Sequence, residues 1–142
     1  MNEEIINVIT VIFLSILSYQ DIRTKTFSLR VLAAFGVVAS LVVVLRINDG
    51  MTLYLAGAGI GLFLLILSLI TKGKIGIGDA LMFMITGALL GINANVSLLY
   101  LTCLLSGLFA LILLITKKKN RQERIPLAPF ALASFLVLMI AG

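Results

Sequence analysis

Residues 75–115 read IGIGDALMFMITGALLGINANVSLLYLTCLLSGLFALILLI, and this stretch decides the fold. A helix needs roughly 20 residues to cross the hydrocarbon core of a bilayer, so the stretch is long enough for two crossings. Near its middle, the sequence Gly91-Ile92-Asn93-Ala94-Asn95 is rich in turn-forming residues, and we predict that it separates two helices. The one charged residue of the stretch is Asp79. Because a carboxylate at membrane depth is costly, Asp79 marks a candidate functional site.

The composition of the whole chain is that of a membrane protein. Of its 142 residues, 61% are hydrophobic and 12% are charged, and the mean hydropathy is +1.21. A soluble domain carries about twice that share of charge. The length leaves little room for a separate soluble domain, so we expect one membrane-embedded domain over residues 1–142.

The residue types that are missing exclude several kinds of chemistry. The chain has no histidine and one cysteine. Ser-His and Cys-His catalysis and an intramolecular disulfide are therefore excluded, and we expect neither a metal site nor a cofactor. The net charge of +5 comes from loop residues without interleaved aromatic side chains, so nucleic acid is not an expected partner.

Six hydrophobic runs follow one another along the chain. They cover residues 5–19, 31–45, 53–70, 75–92, 96–115 and 126–141. Backbone groups in lipid have to be satisfied within the segment, so each run is predicted to be a helix. The fold class that follows is an all-α membrane protein with six transmembrane helices. Several runs are short for a full crossing, so flanking residues or a thinner bilayer have to make up the difference.

The basic residues predict the orientation of these helices. If loops alternate between the two sides, Arg46 alone of the eleven Lys and Arg residues falls on one side. The other ten are Arg23, Lys25, Arg30, Lys72, Lys74, Lys117, Lys118, Lys119, Arg121 and Arg124. The positive-inside rule then places their three loops in the cytoplasm and both the N-terminus and the C-terminus outside.

A second acid shares the predicted cytoplasmic border with Asp79. Asp21 ends the first run, and Asp79 opens the fourth behind the sequence Gly76-Ile77-Gly78. Two carboxylates can hydrolyse a peptide bond when one is ionised and activates water while the other is protonated and polarises the carbonyl group. We expect the two glycines to keep the chain before Asp79 from being fully helical. At a helix N-terminus Asp79 is favoured as the anion, whereas Asp21 at a C-terminus is not, which favours Asp79 as the base and Asp21 as the proton donor.

Each acid also has a simpler explanation. Asp21 could pair with Arg23 or Lys25 at the membrane interface, and Asp79 could cap its helix. Two membrane carboxylates would also suit a small transporter or channel that binds protons or cations. An assembly or anchoring protein without catalytic activity is a third possibility.

Three motifs resemble those of the type IV prepilin peptidase family, which includes archaeal preflagellin peptidases and belongs to the intramembrane aspartyl proteases of GxGD type. They are Asp21-Ile22-Arg23, Gly76-Ile77-Gly78-Asp79 and Pro126-Leu127-Ala128-Pro129-Phe130. The resemblance implies that Asp21 and Asp79 are the catalytic pair. It also implies that Arg23, Gly76, Gly78, Pro126 and Pro129 shape the site or bind substrate.

The activity implied by the resemblance is cleavage of a basic leader from type IV pilin-like or archaellin-like precursors at the cytoplasmic face. The expected location is the inner, cytoplasmic membrane, with several crossings, and the expected partners are the precursor and the lipid bilayer. The chain departs from the family pattern at Phe27-Ser28-Leu29 and at Leu81. It has no paired cysteines of the kind that large bacterial members carry, so we expect a small form without the methyltransferase activity.

In the third run, Gly57, Gly59 and Gly61 predict a face for close helix packing.

Overall fold

A computed structural model describes residues 3–24, 28–46, 48, 50–72, 77–116 and 127–141. Every regular element within these ranges is a helix. The six helices are α1 (Glu3–Thr24), α2 (Leu29–Leu45), α3 (Met51–Ile70), α4 (Ile77–Leu90), α5 (Ile92–Ile115) and α6 (Ala128–Ala141). The prediction of an all-helical fold with one helix in each hydrophobic run is confirmed.

The helices differ in whether they are long enough to cross a bilayer. Three are long and apolar enough, namely Glu3–Arg23, Met51–Ile70 and Ile92–Ile115. The other three are apolar but shorter, with 17 residues in α2 and 14 each in α4 and α6. Fourteen residues at 1.5 Å each extend over about 21 Å, against a hydrocarbon core of about 30 Å. Six crossings and the location of the termini therefore stay predictions.

Glycines bring α3 and α4 into direct backbone contact. A Cβ atom added to Gly57 would collide with the backbone of Gly87, and one added to Gly61 would collide with Met84. Gly59, by contrast, faces open space. The predicted packing face is thus confirmed at Gly57 and Gly61 and wrong at Gly59, because helical periodicity turns a residue two positions away to the other side.

The connection between α4 and α5 is shorter than the sequence indicates. Gly91 alone separates the two helices, with a φ of 91° that favours glycine. The predicted turn over residues 91–95 is therefore wrong beyond Gly91. Asn95 is already helical and fully buried, and its amide group donates to the carbonyl oxygens of Gly57 and Phe83.

Residue contacts show that α1 and α2 run in opposite directions, as do α3 and α4, so the bundle has two ends. At one end, which we call the motif end, Ser28 ahead of α2 donates its N–H to the Gln20 side chain of α1. At the opposite end, Arg46 after α2 lies over the ring of Tyr54, near the start of α3. Arg23, Arg30 and Lys72 border the motif end, as the alternation of loop charges predicts. Lys25, Lys74 and residues 117–124 lie outside the described residues.

Candidate active site at the motif end

Asp21 belongs to the buried face of α1. Residues at helical spacing along α1 face the bundle, and Asp21 is the last of them, after Ile6, Thr10, Phe13, Leu14, Leu17 and Ser18. Its side chain has no exposed surface. The apolar stripe therefore carries a carboxylate into the protein interior at the motif end, where only specific partners make its burial tolerable.

The partner that the structure gives to Asp21 is the first turn of α6. Oδ2 of Asp21 accepts a hydrogen bond of 3.1 Å from the backbone N–H of Ala128, the first residue of that helix. The first N–H groups of a helix have no acceptor within the helix and attract negative charge. Oδ1 is also buried and accepts no hydrogen bond from the described residues. One oxygen is thus anchored, and the other is available for a proton, a water molecule or a substrate.

Arg23 does not provide the counter-charge for Asp21. Its side chain is exposed, donates a hydrogen bond to the hydroxyl group of Tyr19, and lies 5.5 Å from the centre of that ring. Pairing with Arg23 at the interface, the simpler explanation of Asp21, is therefore not what the structure shows. The other suggested partner, Lys25, lies outside the described residues.

Asp79 lies in the first turn of α4. Its side chain is half-buried, and its Oδ1 atom has almost no solvent contact. The helix already includes Ile77 and Gly78, so the expected departure from helical geometry is wrong at Gly78. Gly76 lies outside the described residues. Asp79 is the third residue of the helix rather than the residue preceding it, so it does not occupy the position of an ordinary N-cap.

The proline motif supplies the start of α6. Pro126 lies outside the described residues, whereas Pro129 is the second residue of the helix and is half-buried. Proline is well tolerated there because the first N–H groups of a helix have no partner within it. Ala131 donates to the carbonyl oxygen of Leu127, which closes the first turn. Pro129 has no N–H group, and the N–H group that bonds to Asp21 belongs to Ala128, one residue earlier.

Two elements that are far apart in sequence, the end of α1 and the start of α6, are in contact at the motif end. α4 also begins at this end, with Asp79 in its first turn, because its C-terminal residues Leu89 and Leu90 lie at the opposite end beside Arg46. Both aspartates lie beside a helix N-terminus, Asp79 in its own helix and Asp21 against α6. We expected a helix N-terminus to favour the anionic form of Asp79 alone, and this expectation is wrong because Asp21 also lies at one. Helix direction therefore gives no basis for choosing which carboxylate is the base. Within the described ranges, no three Asp, Glu or Cys side chains cluster as metal ligands do.

The contact between Asp21 and Ala128 is the feature of the site that sequence reasoning missed. The two residues are 107 positions apart, and the donor is a backbone group. One signal was available, because a proline near the start of a hydrophobic run favours a helix N-terminus, which binds anions.

Comparison with known proteins identifies the family. Residues 8–115 match the type IV leader peptidase family, a range that contains both aspartates and ends before α6. A relative with 28% identity over 89 residues is the prepilin leader peptidase/N-methyltransferase of Bacillus subtilis (strain 168). The match covers 62% of this chain and 36% of that protein, so the chain spans about a third of the length of this relative. No solved structure matches. The resemblance seen in the motifs is confirmed, and this chain belongs to the type IV leader peptidase family.

Proposed function

We propose that this protein is an aspartyl endopeptidase of the cytoplasmic membrane that removes the basic leader from type IV pilin-like or archaellin-like precursors. Asp21 and Asp79 are the catalytic residues of the proposal. The observation that carries it is the fully buried Asp21 carboxylate, held through one oxygen by α6 at the end of the bundle where Asp79 begins α4. Membership in a leader peptidase family supports the same reaction.

The reaction uses the two carboxylates in complementary states. The ionised aspartate takes a proton from water, and the resulting hydroxide attacks the scissile carbonyl carbon. The protonated aspartate donates to the carbonyl oxygen and stabilises the charge that develops there. The proton held by the base then passes to the leaving amine as the C–N bond breaks. All atoms come from water and the peptide, so the mechanism calls for no cofactor.

The neighbouring residues position the aspartates in this proposal. The Ala128 N–H fixes the orientation of Asp21, and Pro129 sets the entry of the chain into α6. Gly78 leaves space beside Asp79 for an extended peptide. Arg23, exposed at the same end, is placed to meet polar parts of the precursor or lipid headgroups.

The proposal also includes the membrane arrangement. The six helices all cross the bilayer, the motif end faces the cytoplasm, and both termini lie outside. The short helices α4 and α6 are accommodated by local thinning of the bilayer, which places their N-terminal ends and the aspartates within reach of water. The hydrophobic part of the precursor stays in the membrane while its basic leader reaches the motif end.

The proposal is tested by co-expressing the chain with a pilin-like precursor and sequencing the N-terminus of the product. The wild-type chain is expected to release the leader in a membrane fraction, with the activity unaffected by chelators and thiol reagents. Asp49→Asn, which changes an aspartate outside the three motifs, is the matched control and keeps the activity. Strong inhibition by EDTA would contradict the two-aspartate mechanism. Uptake of protons or cations by liposomes, with no cleavage of any precursor, would favour the transporter alternative.

A further inference from the structure

A second polar site lies at the end of the bundle opposite the aspartates. A cavity of about 320 Å³ opens there between the N-terminal ends of α1 and α5 and the C-terminal ends of α2, α4 and α6. The polar residues that line it are Glu3, Asn7 and Arg46. Apolar side chains such as Leu89 and Phe135 complete them. None of these residues belongs to the three motifs.

Arg46 gives this cavity a buried positive charge. Only 4% of the residue is exposed. Its guanidinium carbon lies over the Tyr54 ring, 4.2 Å from the ring centre. Within the described part of the chain, no side chain or carbonyl group accepts a hydrogen bond from this guanidinium or forms an ion pair with it. A cation–π contact involves the charge of the guanidinium, so its N–H donors stay available to a ligand in the cavity.

The first turn of α5 adds donors to the same cavity. Ala94 lines the cavity and lies in that turn. The N–H of Asn95 bonds to the carbonyl oxygen of Gly91, which is the first acceptor that the helix offers. The N–H groups that precede Asn95 in α5 therefore have no partner within the helix. Gly91 provides no side-chain cap. A buried guanidinium beside an uncapped helix N-terminus is the chemistry of a phosphate site.

The position of Glu3 indicates what kind of phosphate ester fits. Glu3 is exposed and begins α1, one turn before Asn7, so its carboxylate lies at the rim while Arg46 lies inside. A phospholipid with an amine-bearing headgroup has the matching order of apolar chains, phosphate and terminal ammonium. An anionic headgroup would instead bring negative charge towards Glu3.

We propose that this cavity binds a phospholipid with an ethanolamine-type headgroup, its phosphate on Arg46 and the α5 N-terminus and its ammonium on Glu3. The acyl chains leave the cavity beside exposed Met139 and run along α6 towards the bilayer interior, past exposed Leu136. The proposal does not depend on the peptidase activity or on which face of the membrane this end occupies.

The test uses the full chain, purified in a neutral detergent and stripped of lipid. Phosphatidylethanolamine and phosphatidylglycerol are added in equal amounts, and the lipid that stays bound is measured by native mass spectrometry. We expect the wild type to retain phosphatidylethanolamine preferentially. Arg46→Gln should reduce this retention about tenfold or more, the value of one to two charge-assisted hydrogen bonds. Arg30→Gln removes an exposed arginine at the motif end and should leave retention unchanged.

A second variant keeps the test decisive if Arg46→Gln does not fold. Glu3→Gln changes an exposed residue and should abolish the preference for the amine-bearing lipid. Equal retention of both lipids by the wild type, or no change in either variant, would overturn the proposal. Displacement of the lipid by millimolar inorganic phosphate or glycerophosphoethanolamine would also overturn it, because the site would then belong to a water-soluble phosphate compound.

Discussion

Asn95→Ala tests how the interior of the bundle is held together. The Asn95 amide is fully buried and connects three helices. Nδ2 donates to the carbonyl oxygens of Gly57 in α3 and Phe83 in α4, both at 3.1 Å. Oδ1 accepts from the hydroxyl group of Thr86 at 2.9 Å. Alanine removes all of these bonds while preserving the helix, because alanine has the highest helix propensity.

The structure sets the size of the expected effect. The two carbonyl groups also accept bonds within their own helices, so the variant loses hydrogen bonds without leaving those oxygens bare. Side-chain hydrogen bonds in membrane proteins contribute about 0.6 kcal/mol each on average, and in soluble proteins about 1 kcal/mol. Three bonds therefore predict a loss of about 2–3 kcal/mol in the free energy of unfolding, or roughly 30- to 150-fold in the unfolding equilibrium.

The measurement is reversible unfolding by SDS in mixed micelles, followed by circular dichroism. Asn93→Ala is the matched control, since Asn93 lies two residues earlier in α5 on its exposed face. We expect the control to stay within about 0.5 kcal/mol of the wild type. If Asn95→Ala were no less stable than Asn93→Ala, the three-helix network would have no energetic importance.

Three further predictions address packing, the anchor of Asp21 and the membrane arrangement. Gly61→Ala should destabilise the fold by about 1–3 kcal/mol because its Cβ meets Met84, whereas Gly59→Ala should not. Equal stability of the two variants would contradict the close contact of α3 and α4. Asp21→Asn should unfold at nearly the wild-type SDS concentration, because its side-chain oxygen still accepts a hydrogen bond from Ala128. Asp21→Ala should lose about 1–3 kcal/mol in the free energy of unfolding. Equal losses in the two variants would argue against this anchor. In a cysteine-free background, Asn93→Cys should react with a membrane-impermeant thiol reagent added outside cells, and Lys72→Cys should not. The reverse labelling pattern would show that the chain has the opposite orientation in the membrane.

The helices themselves follow directly from the sequence. Uninterrupted apolar runs bounded by charges and glycines predict six helices, and all six are present. The buried face of α1 is also readable in retrospect, because Phe13, Leu17 and Asp21 follow one another at helical spacing. Hydrophobicity alone does not show this face, since nearly every residue in these helices is apolar.

Contacts between distant elements are what the sequence does not show. Gly59 and Gly61 are the same residue type two positions apart, yet one faces open space and the other faces Met84. Asn95 resembles a turn residue, but its amide is used in the interior instead. The anchor of Asp21 depends on a backbone N–H that carries no signature in the residue type of Ala128. In each case the outcome depends on which helix packs alongside, and local periodicity holds no information about that.

The most direct test of the central claim is the rate of leader cleavage by reconstituted Asp21→Asn, Asp79→Asn and the double variant. If the two carboxylates act as one catalytic unit, each single variant loses nearly all activity, about a thousandfold or more, and the double variant is no slower than either one. Asp49→Asn should cleave at the wild-type rate. Substantial cleavage by either single variant, or losses that multiply in the double variant, would contradict a shared two-aspartate mechanism.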